Sequence, residues 1–118
     1  MLYYEETVQF EPDGKDGYYR KDYWENFKNE LVPISAERGM FLVGSWETPV
    51  GSGNGNEVSF LWRVKDWATW GEIRDKSRDN PRVLDWQRTQ WVYRKHWYTK
   101  LLVPSPGHSA GILAKNTE

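Results

Sequence analysis

The stretch "EVSFLWRVKDWATW", residues 57–70, joins a strand pattern directly to a helix pattern. Every second residue of its first half is apolar and falls on one face: Val58, Phe60, Trp62 and Val64. Asp66 follows as an N-cap for a helix that begins at Trp67, because its carboxylate can accept hydrogen bonds from the helix's free N–H groups. The stretch therefore predicts a half-buried strand that leads into a helix packed on the sheet.

The rest of the chain extends this unit on both sides. Alternating patterns predict further strands over residues 2–10, 40–46 and 98–106, and spacings of three and four predict helices over 17–31, over 67–78 and from Pro81 onward. We expect Pro33 to end or kink the first helix, and we place the change from the last helix to the last strand near residues 96–97. This order is typical of the ferredoxin-like α+β fold, βαββαβ, a four-stranded antiparallel sheet with helices on one face.

Length and composition limit the classes of protein. The 118 residues suit a single domain, which we place over residues 1–106 with a C-terminal tail over 107–118. The absence of cysteine excludes disulfides and thiolate metal sites, and the two histidines are not paired at metal-binding spacing. The N-terminus lacks the pattern of a signal peptide and no apolar run could span a bilayer, so we expect a soluble, cytoplasmic protein.

Charge is distributed unevenly along the chain. Residues 1–62 hold eleven acidic against five basic residues, and residues 63–100 hold ten basic against five acidic ones, although the net charge is only −1. Two interpretations stay open: two solvated faces of opposite sign, or an acidic half of one chain that meets the basic half of another. The small net charge gives no general attraction to nucleic acid or to a membrane surface.

Several motifs resemble the NIPSNAP family of dimeric α/β-barrel proteins, in chain order. They are a strand that ends in Gly44-Ser45-Trp46, a glycine-rich turn with Gly51 and Asn56, the pair Leu61-Trp62, Asp66 at a helix start, Arg74, Asn80-Pro81 and the segment Lys100 to Pro106. The resemblance implies a homodimer whose monomers each carry a pocket between sheet and helices. Related barrels include cofactor-free monooxygenases, cyclases, isomerases and haem enzymes, so the resemblance implies a fold and leaves the function open.

The sequence departs from that family at three polar positions around the expected pocket. Phe60 stands where relatives often have His, Glu6 where they often have Arg, and Trp70 where they often have a second Arg. These changes indicate a pocket adapted to a flatter and more apolar ligand.

Glu6 is the strongest candidate for chemistry, since it interrupts the apolar face of the first strand. A desolvated carboxylate there could act as a general acid or base. A bulge that turns it outward, or an ion pair with Arg74, would be structural alternatives. Arg74 is the expected partner for an anionic or carbonyl group, and His96 is either a proton carrier or a polar surface residue.

Aromatic residues are the expected walls of the pocket, and each could equally be simple core packing. The candidates for substrate binding are Tyr4, Trp46, Phe60, Trp62 and Trp70. Together these residues predict an enzyme that acts on a hydrophobic, ring-containing substrate without a dedicated cofactor or metal. A non-catalytic binding module is the alternative, with haem binding through a histidine or nucleic-acid binding by "RTQWVYRKHWYTK", residues 88–100, as weaker ones.

Overall fold

The computed structural model describes residues 1–10, 23–48, 57–77, 80–91 and 94–105. Its strands are β1 (Leu2–Phe10), β2 (Met40–Glu47), β3 (Glu57–Val64) and β4 (Arg94–Leu102), and its α-helices are α1 (Val32–Arg38), α2 (Trp67–Ser77) and α3 (Pro81–Trp91). A π-helical turn, Phe27–Leu31, leads into α1. The predicted turn over residues 51–56, the first residues of the predicted first helix and the predicted tail over 107–118 lie outside the described residues.

The four strands form one antiparallel sheet in the order β2-β3-β1-β4. The central strand β1 pairs with β3 from Leu2 opposite Val64 to Gln9 opposite Glu57. This is the order expected when a chain builds the ferredoxin-like fold, so the predicted α+β class is confirmed.

The core lies between the sheet and the helices, on the face predicted from the strand pattern of β3. Its four apolar residues Val58, Phe60, Trp62 and Val64 are each at most 1% exposed. Asp66 caps α2, since its Oδ1 accepts hydrogen bonds from the backbone N–H (2.8 Å) and the hydroxyl (2.7 Å) of Thr69. Asn80 caps α3 in the same way through the N–H of Arg82 at 3.0 Å.

Of the two alternatives predicted for Pro33, that it ends or kinks the first helix, the end is wrong. The helix continues through α1 to Gly39, which adopts a left-handed φ of 100° and closes it. Because a proline inside a helix clashes with the carbonyl four residues earlier, the wide π-helical turn that precedes α1 is the local adjustment to Pro33. Helix α1 therefore reaches farther over the sheet than the sequence predicts.

The last strand begins earlier than predicted, because α3 ends at Trp91 and β4 starts at Arg94. The predicted boundary near residues 96–97 is wrong by a few residues. Basic and aromatic residues follow one another through this segment. Neither the helical period of 3.6 nor the strand period of 2 dominates there, so the sequence does not define the boundary. None of the helices in the described ranges is both long and apolar enough to cross a membrane.

A β-bulge in β2 moves Trp46 to the helix-free face. The register of β2 against β3 shifts between Leu42 and Gly44, and beyond the shift Trp46 pairs with Ser59 instead of with a core residue. Trp46 is 54% exposed as a result. The prediction that it faces the pocket is therefore wrong, because one extra residue in a strand exchanges its two faces.

Candidate ligand-binding site

A cavity of about 460 Å³ lies between the sheet and the helical layer. Its floor is formed by side chains of β1, β3 and β4, and its roof by the π-helical turn and the three α-helices. The floor residues are Tyr4, Glu6, Val8, Phe60, Trp62, Trp97, Thr99 and Leu101. This volume falls within the range of sites that hold small organic ligands.

The carboxylate of Glu6 is held in the floor by two indole groups. Its Oε2 accepts a hydrogen bond from Trp62 Nε1 at 2.9 Å, and its Oε1 accepts one from Trp97 Nε1 at 3.2 Å. Trp62 is fully buried, whereas Trp97 is 45% exposed. Donation by two N–H groups fixes the orientation of the carboxylate.

A tyrosine and two arginines also line the cavity. Burial and, to a smaller extent, the charge of Glu6 raise the pKa of the Tyr4 phenol well above its usual value, against the opposing effects of a Thr99 hydrogen bond, Arg74 and Arg38. Burial lowers the pKa of Arg38, and the charges of Glu6 and Tyr4 oppose this change. Glu6, Tyr4 and Arg38 therefore form one electrostatically coupled group, in which Tyr4 stays protonated at neutral pH.

Rigid rings form the walls around these polar groups. The ring centroids of Tyr4 and Trp70 are 4.9 Å apart, and Phe60 meets Trp62 edge to face at 6.0 Å. Phe27 from the π-helical turn packs on Phe60 at 4.8 Å. Aromatic contacts in this distance range orient the rings as well as burying them.

Several residues that line the cavity also reach the surface. Trp97 from that strand, the exposed Arg74 and the half-buried Trp70 of α2 all line the cavity and reach the surface. The Trp97 indole thus contacts solvent on one side and Glu6 on the other.

Most of the residues predicted for the site meet in this cavity. They are Tyr4, Glu6, Phe60, Trp62, Trp70 and Arg74. Glu6 lies on the helix-covered face because β1 is regular from Leu2 to Gln9, so no bulge turns the carboxylate outward. The catalytic and binding roles of these residues stay predictions.

His96 lies away from the cavity. It pairs with Gln9 on the opposite face of the sheet from Glu6, is exposed, and has its ring 5.8 Å from that of Tyr98. Alternation along β4 sends Trp97 and Thr99 into the cavity and His96 and Tyr98 away from it. Of the two alternatives for His96, this position agrees with a polar surface residue.

Several cavity residues are not predicted from the sequence, among them Ser35, Arg38, Trp86 and Trp97. Ser35 and Arg38 follow Leu31 at helical spacing. The sequence predicts that the first helix ends or kinks near Pro33, so this spacing alone did not place them over the sheet. Trp97 lies one residue before the predicted start of the last strand at residue 98, so the predicted strand did not include it. Trp86 was recognised as part of a helix but not as part of the site.

The described residues hold no group of three or more histidine, aspartate or glutamate side chains that could bind a metal ion.

The sheet order and the helices on one face, with a cavity between the layers, define a ferredoxin-like fold. Solved structures of NIPSNAP proteins share it. An uncharacterised NIPSNAP domain protein from Burkholderia xenovorans superposes with a TM-score of 0.70 at 22% identity, covering 91% of this chain and 97% of its own. A NIPSNAP family protein from Agrobacterium tumefaciens gives 0.68 at 19% identity, covering 92% and 97%. The predicted resemblance is thus confirmed as a likeness of fold.

A more distant match is an antibiotic biosynthesis monooxygenase, with a TM-score of 0.55 and 13% identity over 90% of this chain and the whole of that one. No protein-family model matches the sequence, and no curated protein sequence matches it either. At these identities the likeness concerns the fold, and any chemistry must be argued from the cavity.

Proposed function

We propose that the cavity binds a planar, ring-containing small molecule and that Glu6 exchanges a proton with it. The observation that carries this proposal is the placement of one carboxylate among aromatic walls in a cavity of about 460 Å³. If this space served only for packing, apolar side chains would fill it, since removing a charged group from water is costly. The rings supply flat apolar surface, and the few polar groups would orient the ligand.

The proposed chemistry is proton transfer followed by charge stabilisation. Glu6 would accept a proton from a ligand hydroxyl, or from a C–H group next to a carbonyl, and the electron pair left behind would become negative charge on the ligand oxygen. Arg38 and Arg74 line the same cavity and would stabilise that charge. Such a step opens an isomerisation, a cyclisation or a reaction with oxygen, and it requires no dedicated cofactor. The antibiotic biosynthesis monooxygenase matched in structure offers a precedent for enzymatic chemistry on this fold.

Binding without turnover is the second candidate. It is favoured by the two indole hydrogen bonds that already engage both oxygens of Glu6. Because hydrogen bonds to the ionised form lower the basicity of a carboxylate, they suit a recognition group as well as a base.

The proposal can be tested with 2-naphthol, a flat ring system with one hydroxyl donor. We expect saturable binding by calorimetric titration, and we expect Glu6→Gln to weaken it about tenfold, since a hydrogen bond to a charged acceptor is worth roughly 1–2 kcal/mol more than one to a neutral acceptor. Glu72→Gln is the matched control, because Glu72 is an exposed residue of α2 outside the cavity lining. Absence of binding, or equal binding by both variants, would contradict the proposal.

We also infer that the helix-free face of the sheet is covered by a second copy of the chain. Large apolar side chains stand exposed on it: Phe41, Trp46, Tyr98 and Leu102 are each 38–54% exposed. Oppositely charged residues accompany them, with Glu5 next to Lys100 in the register and Arg63 stacked 5.3 Å over Phe41. A face of this kind suits an isologous pairing of two sheets.

A further inference from the structure

Two buried polar groups in the roof of the cavity have no hydrogen-bond partner among the described residues. They are the Ser35 hydroxyl on α1 and the Trp86 indole N–H on α3. Ser35 is 0% exposed and Trp86 is 8% exposed, so solvent does not reach them freely. Both residues line the same cavity as Glu6.

Such groups are unusual in a packed core. Most buried polar side chains are hydrogen-bonded, since an unsatisfied buried donor loses its bonds to water without replacement. A helical serine commonly bonds to the carbonyl four residues earlier, and Ser35 does not. Because Ser35 and Trp86 are among the residues that line the cavity, a ligand bound there is the candidate partner.

The chemistry of the two groups specifies that partner. An indole N–H can only donate, and a serine hydroxyl can donate and accept. One group that serves both is an oxygen acceptor such as a carbonyl. The floor of the cavity differs, because Glu6 presents acceptor oxygens there. Floor and roof therefore make opposite demands on a ligand.

We propose that Trp86 and Ser35 recognise a carbonyl-type oxygen of the ligand, so that the site selects ring compounds that carry such an acceptor. This inference rests on the proposed function, since it assigns the ligand class for the same cavity. A site built around an unpaired donor discriminates strongly against an analogue that lacks the acceptor, because binding that analogue leaves the donor buried and unpaired.

Acetophenone and α-methylstyrene form a suitable probe pair, because a carbonyl oxygen in the first replaces a CH₂ group of the same shape in the second. We expect acetophenone to bind about tenfold more tightly than α-methylstyrene, because one or two hydrogen bonds in a buried site contribute a free energy of that size. In ¹H–¹⁵N spectra, acetophenone should move the Trp86 indole N–H resonance downfield and α-methylstyrene should not. A Trp86→Phe variant assigns that resonance by its loss.

Ser35→Ala provides a second measurement with its own control. We expect it to reduce the preference for acetophenone about fivefold, as one neutral hydrogen bond predicts, and to leave α-methylstyrene binding unchanged. Because its hydroxyl is unpartnered, this variant should also raise the melting temperature of the ligand-free protein. The control is Ser59→Ala, which removes a serine that bonds Thr7 at 3.4 Å on the other face of the sheet. It should leave the preference for acetophenone unchanged.

The outcomes separate the two claims. Equal binding of both probes with an unmoved Trp86 resonance would overturn the assignment of the acceptor and leave the cavity as a ligand site. Failure of 2-naphthol, acetophenone and α-methylstyrene alike to bind would overturn the proposed function and this inference together. Selective acetophenone binding whose preference Ser35→Ala and Trp86→Phe both reduce would support it.

Discussion

The two indoles that hold Glu6 provide a matched pair of perturbations. Trp62→Phe and Trp97→Phe each remove one N–H group that donates to the same carboxylate, at 2.9 Å and 3.2 Å respectively. The two sites differ in burial, because Trp62 is 0% exposed and Trp97 is 45% exposed. The pair therefore tests whether the buried hydrogen bond in the cavity floor contributes to the stability of the fold.

The expected magnitudes follow from that difference. Replacing the buried indole of Trp62 by a phenyl ring leaves a void of roughly 40 Å³, which costs about 1 kcal/mol at about 24 cal/mol per Å³. The lost hydrogen bond to a charged acceptor adds about 1.5–3 kcal/mol. We therefore expect Trp62→Phe to lower the free energy of unfolding by about 3 kcal/mol. For Trp97→Phe we expect less than about 1 kcal/mol, because water can replace its N–H group at the carboxylate and its ring is only partly packed.

Urea denaturation of both variants, followed by circular dichroism at one protein concentration, measures the difference. Equal m-values are required, so that the shift in midpoint reports stability alone. Fixed concentration is needed because self-association changes the apparent stability. Equal losses at the two positions, or a larger loss at Trp97, would refute the argument that burial determines the strength of the contacts around Glu6.

Three further predictions test other parts of the molecule. Trp46→Glu should convert a dimer into a monomer in sedimentation velocity. Trp67→Glu, at a residue 61% exposed on α2, should not. A dimer that survives Trp46→Glu would contradict the proposed interface. Hydrogen bonds from Thr69 lower the pKa of Asp66, so its contribution to stability is present above the pKa it has in the unfolded chain and is lost as pH falls through the lower folded value. Asp66→Asn keeps a cap and should flatten this acid limb in urea midpoints measured from pH 6 to pH 2. Tyr4 has a raised pKa, so its contribution is complete below pH 10 and declines above it; Tyr4→Phe should weaken the alkaline loss of stability, and an unchanged loss would contradict the burial of that phenol.

Local patterns were sufficient to predict the fold and the part of the cavity floor that β1 and β3 form. Strand alternation in β1 and β3 places Glu6, Phe60 and Trp62 on the core face, and a regular register preserves that placement in three dimensions. The Asp66 cap is equally local, since the donor lies three residues away. Features whose cause lies within a few residues are therefore predictable here.

Two of the features that were missed depend on irregular backbone. The bulge in β2 exchanges the faces after Leu42 and sends Trp46 to the other side of the sheet. The π-helical turn allows the chain to pass Pro33, and so brings Ser35 and Arg38 over the cavity. The bulge has no clear sequence signal, because packing across the sheet and its helices selects it. Pro33 does mark the position of the π-helical turn, but a proline is compatible with either an end or a kink of the helix.

A crystal structure of the protein with 2-naphthol would test the central claim most directly. We expect the naphthalene ring to lie between the sheet and the helices, in contact with Trp62 and Trp70, and its hydroxyl to lie within hydrogen-bond distance of the Glu6 carboxylate. A ligand bound elsewhere on the surface, with the space above Glu6 closed by side chains, would contradict it.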